Sequence, residues 1–131
     1  MEIKYNEATL NRPEGNRIID APVVFIDLNK YSRQLKEEET WQKNDRNGIT
    51  VFKTDRLTIV LSCLHTNASI KHISVDGLLT IQVIEGTISL DIETGLVKLQ
   101  KNELVTLHPG INHTITALED SLLLMTNHVT I

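Results

Sequence analysis

Aromatic side chains are scarce: they make up 4% of the 131 residues, whereas hydrophobic residues as a whole make up 40%. A core built from this chain therefore rests on Ile, Leu and Val rather than on stacked rings. Cysteine is nearly absent as well. The single Cys63 excludes an intrachain disulfide and any multi-cysteine metal site, and its place within an apolar alternating stretch predicts a buried, inert thiol. Basic clusters are missing. With a formal net charge of -4 and no segment that gathers Lys and Arg, the chain cannot neutralise a row of phosphates, so nucleic acid is not an expected partner. No apolar run approaches about 20 residues, the length of a membrane-spanning helix. Met1-Glu2-Ile3-Lys4-Tyr5-Asn6 lacks the basic start and apolar stretch of a secretory signal. The expectation is a cytoplasmic protein without membrane association, in which the glycosylation-type matches at Asn67 and Asn112 are chance.

What is present suits one domain, because a chain of 131 residues buries a single core. Within it we distinguish residues 1–48, an N-terminal arm with a short strand and a helix, from residues 49–131, a β-barrel. Residues 1 to about 20 carry Asn11, Pro13, Glu14, Gly15 and Asn16 without periodicity and read as an irregular arm. Pro22 to Leu28 reads as a short apolar strand. From Asn29 to Trp41 the period changes, and Tyr31, Leu35 and the charged run Lys36-Glu37-Glu38-Glu39 predict one short surface helix capped near Asn29.

From Gly48 onward the pattern has period two, the signature of an all-β fold. Leu57, Ile59, Leu61, Cys63 and His65 share one face, as do Leu79, Ile81 and Val83, and Ile88, Leu90 and Ile92 alternate with Thr87, Ser89 and Asp91. Asp76-Gly77, Glu85-Gly86, Glu93-Thr94-Gly95, Lys101-Asn102, Pro109-Gly110 and Glu119-Asp120 supply turn chemistry between them. About eight strands joined by tight turns leave exposed edges unless the sheet closes or stacks, which favours a barrel or jelly roll.

Strand parity also orients the histidines. His72 and Ser74 fall with Ala68 and Ile70, opposite Lys71, while His113 falls with Ile115 and Ala117, opposite Asn112, Thr114 and Thr116. Both imidazoles are thus expected to point inward. There they can ligate a metal, act as acid and base, or hydrogen-bond a neighbour. His65 shares the parity of its own apolar strand. His108, beside Pro109, and His128 read as surface residues.

The stretch from Gly77 to Ile88, ending in Val83-Ile84-Glu85-Gly86, resembles the close of the first cupin motif, and Glu103 to His113, with its Pro109-x-x-x-His113 ending, is similar to the second. The resemblance covers about residues 57 to 127. It implies a cupin double-stranded β-helix, a jelly-roll barrel carrying one short N-terminal helix, and commonly a homodimer. In metal-binding cupins the first motif offers His-x-His and a Glu, and the second offers one further His. On those positions this chain has His72, Ser74, Leu79 and His113. The resemblance therefore implies a reduced metal site of His72 and His113, with His65 as a possible replacement ligand, for a divalent ion such as zinc, manganese, iron or nickel.

Two functions follow in order. The first is a small-molecule binding protein with a degraded metal site and a pocket near His72, Ser74, Leu79, His113 and Met125. The second is a cupin enzyme of dioxygenase or isomerase type using His72 and His113. A third reading is an assembly module whose arm and edge strands form a dimer. No nucleophilic triad or phosphate loop is recognisable at its usual spacing.

Overall fold

The period-two stretches of Ile, Leu and Val become antiparallel strands, and the computed structural model shows how they stack. It describes residues 3–6, 17–72 and 75–129, and the side chains of all of these except Tyr5 and His72. The elements are β1 (Lys4–Asn6), β2 (Arg17–Asp20), α1 (Leu28–Glu37), α2 (Glu39–Lys43), β3 (Arg46–Lys53), β4 (Leu57–Leu64), β5 (Ser69–His72), β6 (Leu78–Glu85), β7 (Thr87–Ile92), β8 (Gly95–Gln100), β9 (Leu104–Leu107), β10 (His113–Ala117) and β11 (Ser121–His128). A five-stranded sheet runs in the order β3-β4-β11-β6-β9, a four-stranded sheet in the order β5-β10-β7-β8, and β1 pairs with β2. β3 crosses the division expected at residue 48. No helix among the described residues is long and apolar enough to cross a membrane.

Two apolar clusters hold these layers together. Between the sheets lie Leu79, Ile81, Val83 and Leu123 from one and Ile88, Leu90, Ile115 and Ala117 from the other. Each fully buried aliphatic side chain of this kind contributes about 1.5–3 kcal/mol. On the opposite side of the five-stranded sheet, Leu35 of α1 packs with Ile49, Val51, Leu61, Cys63 and Leu122, and Trp41 of α2 joins them. This corrects one expectation. The face of β4 carrying Ile59, Leu61 and Cys63 is apolar because helices cover it, whereas Leu64, of opposite parity, faces the core between the sheets.

The N-terminal region departs from expectation in four respects. Pro22 to Leu28 forms no strand; Val23 and Phe25 are each 86% exposed, because an apolar alternation without a neighbouring strand has no ladder to join. The helix is capped two residues earlier than expected, with the Asp27 carboxylate accepting the Lys30 N–H at 3.1 Å, a side-chain N-cap. It is also two helices. Glu38 takes an extended conformation at φ -71 and ψ 146, and its carboxylate accepts from Asn47 Nδ2 at 2.9 Å. The same Asn47 amide donates to the Leu35 carbonyl at 2.9 Å, satisfying one of the acceptors a helix end leaves open. A β3 side chain thus ends α1. The arm expected to be irregular contains β1 and β2 where it is described, and Arg17 ties β2 to the sheet by donating through Nη2 to Thr50 O at 2.8 Å.

The turns behave as their residues suggest. Gly86 has φ +88, and a Cβ there would meet Ser121 Oγ and stand 2.5 Å from Asp120 O, so only glycine fits. Asn102 takes the left-handed conformation at φ 69, which asparagine tolerates better than most residues.

Candidate functional site

β10 is the inner strand that positions the site, since it pairs with β5 on one side and β7 on the other. Its parity is as expected: His113, Ile115 and Ala117 are buried at 3%, 0% and 0% exposure, while Thr114 and Thr116 are half-buried. The ladder sets two rows across the three strands. One places His72 opposite His113 and His113 opposite Ile92. The next places Lys71 opposite Thr114 and Thr114 opposite Asp91. The side chain of His72 and the whole of Ser74 lie outside the described residues, so their inward direction stays an expectation.

Both rows border a depression of about 800 Å³ at the end of β7 and the start of β10, lined by Lys71, Asp91, Ile92, Glu93, Thr94, Gly110, Ile111, Asn112, His113 and Thr114. Gly110 turns the approaching chain at φ +81, and its N–H donates to Val75 O at 3.1 Å. Three residues later the chain enters β10 with His113 Nδ1 donating to the Ile111 carbonyl at 3.1 Å. Because a carbonyl only accepts, Nδ1 carries a proton in this bond.

The other residues singled out in the sequence take different places. Leu79, 5% exposed, sits in the core between the sheets, and Met125 packs against that core. Neither lines the depression. Aliphatic side chains fill the space between the sheets, as close packing of an interior requires, so the opening lies at the strand ends. His65 is a correction. It follows β4 and turns to the helix side, where its ring stacks on Trp41 with centroids 3.3 Å apart and Nε2 donates to Trp41 O at 2.8 Å. It does not join His113. His108 and His128 are exposed, as expected.

Among the described residues, the donor set is short of what a cupin metal centre uses. Leu79 offers hydrocarbon where a carboxylate would ligate, His65 is committed elsewhere, and no group of three His, Cys, Asp or Glu side chains arranged to hold a metal occurs among the described residues. Conversely, parity sets Lys71, Asp91, Asn112 and Thr114 opposite the inward residues, and the linear pattern gives them no place in a site. Alternation does separate the faces, but at a strand end both faces border the same opening, and that closeness has no signal in a linear pattern.

No protein-family model and no curated protein matches the sequence. Solved structures do. A cupin superfamily protein from Desulfitobacterium hafniense DCB-2 superposes with TM-score 0.64 at 14% identity, over 66% of this chain and 80% of its own. A cupin-2 domain containing protein from Shewanella frigidimarina NCIMB 400 does so with TM-score 0.61 at 15% identity, over 79% and 93%. An RmlC-like cupin from the same organism reaches 0.61 at 14% identity, over 66% and 78%. At these identities the likeness concerns the fold, and the chain has the fold of a small cupin domain.

Proposed function

We propose that this cupin-fold chain binds a small organic molecule in the depression at the head of β10, with His113 at its floor and no tightly held metal. The two sheets are read as the walls of a jelly roll whose mouth this depression forms. The observation that carries the reading is a concavity of about 800 Å³, within the range of about 300–1,000 Å³ typical of small-molecule sites, set against a buried imidazole. Its rim mixes Ile92 and Ile111 with charged and amide side chains, a lining that orients a ligand as well as burying it. The test is a panel of small organic molecules followed by amide resonances. Shifts gathered at Thr94, Asn112 and Thr114 support binding there, and a panel that leaves those resonances unmoved removes the reading.

A second reading, a cupin enzyme working through His72 and His113 with a weakly held divalent ion or as an acid/base pair, is favoured by one observation: the ladder sets the two residues directly opposite each other. Elemental analysis of the dialysed, untagged protein beside the His72→Ala/His113→Ala double variant separates the two. Near-stoichiometric metal that disappears in the variant favours the enzyme; metal content that the double substitution leaves unchanged counts against it.

A further inference from the structure

Lys71, Thr114 and Asp91 form one row across β5, β10 and β7, and all three border the depression together with Glu93. Neighbouring strands stand about 4.8 Å apart, so the Lys71 and Asp91 backbones are separated by about 10 Å with Thr114 between them. Lys71, Asp91 and Glu93 make no ion pair or side-chain hydrogen bond with any described residue. One rim of the depression is therefore cationic, the other carries two carboxylates, and the two do not neutralise each other. The apolar residues Ile92 and Ile111 border the same depression.

This pattern discriminates among ligands by charge. A simple anion drawn to Lys71 meets repulsion from Asp91 and Glu93, and a simple cation drawn to the carboxylates meets repulsion from Lys71. A neutral molecule leaves all three charges unused. Resting on the binding reading above, we propose that the depression takes a small zwitterion, its ammonium toward Asp91 and Glu93, its carboxylate toward Lys71, and a short aliphatic linker over Ile92 and Ile111. Because the charges are exposed, each is worth a modest factor, about two- to five-fold in affinity, and added salt weakens binding.

The probe is 6-aminohexanoate, titrated into the isotopically labelled protein beside hexanoate, hexylamine and 1,6-hexanediol. The expected result is that the zwitterion shifts the Thr94, Asn112 and Thr114 amides and binds several-fold more tightly than the other three. Lys71→Glu is expected to weaken 6-aminohexanoate and to strengthen hexylamine; Asp91→Lys is expected to weaken 6-aminohexanoate and to strengthen hexanoate. If the diol moves the same amides as strongly as the zwitterion, the charge inference is overturned while binding at this place stands. If none of the four moves them, the zwitterion is also overturned, and the wider ligand panel decides the binding reading separately.

Discussion

The imidazole of His65 lies flat against the indole of Trp41, with centroids 3.3 Å apart and planes inclined by 15°, while its Nε2–H donates to the Trp41 carbonyl at 2.8 Å. One histidine thus clamps both the ring and the backbone of α2, a five-residue helix too short to hold itself together. Trp41 is the only tryptophan in the chain, so its fluorescence reports this contact. Replacing His65 by Ala is expected to destabilise the protein by about 1–2 kcal/mol, from the lost stack and hydrogen bond, and to shift the Trp41 emission toward that of solvated indole. An unchanged spectrum would show that the clamp does not hold α2.

Asp120 supports the same corner from the turn before β11. Its Oδ1 accepts the Thr66 N–H at 2.8 Å and the Thr66 hydroxyl at 3.0 Å. These bonds, with a smaller contribution from nearby His65 charge, hold its carboxyl below the usual carboxylate range. A folded pKa below the unfolded value of about 3.9 adds stability that is present above that value and is lost as pH falls through the folded one. The stability difference between the protein and Asp120→Asn is therefore expected near neutral pH and should shrink below about pH 4. Urea midpoints at several pH values measure it. Since the carboxylate is largely exposed, the effect is small, and a difference that grows on acidification contradicts this account.

Burial pushes the Cys63 thiol up to about 11, and its Sγ–H donates to Asn47 O at 3.4 Å. Only the thiolate reacts with disulfide reagents. The native protein at pH 8 is expected to resist such a reagent, reacting only as fast as it opens, and to react at once in denaturant. Rapid labelling of the native state would place Cys63 at the surface.

Gly86 and Asn102 both occupy the left-handed region, with φ 88 and φ 69, yet they should respond differently. Gly86→Ala adds a Cβ against Ser121 Oγ and Asp120 O as well as the conformational penalty, and is expected to cost more than about 2 kcal/mol. Asn102→Gly removes the penalty and should change stability by less than about 1 kcal/mol. Denaturant midpoints of the two variants test the contrast.

How far the sequence could be read depended on which interactions are local. Alternation within β7 predicted Ile88 and Leu90 inside with Ser89 and Asp91 outside, and the structure buries the first pair and leaves Asp91 exposed. Parity likewise placed His113 inward. The same rule misled at His65, because an apolar face shows only that something covers it, and on β4 the cover is a pair of helices. The break at Glu38 was equally hidden: its cause is Asn47, which reaches α1 from a different element.

The sequence by itself determined the all-β class, the turn positions and the inward parity of His113, since period two and turn chemistry are properties of neighbouring residues. Tertiary structure decided which apolar face meets the second sheet and which meets the helices. It also decided that the opening lies at the strand ends, where Lys71, Thr114 and Asp91 come into one row from strands far apart in the chain. Register between distant strands is set by packing of the whole core, and no local pattern encodes it.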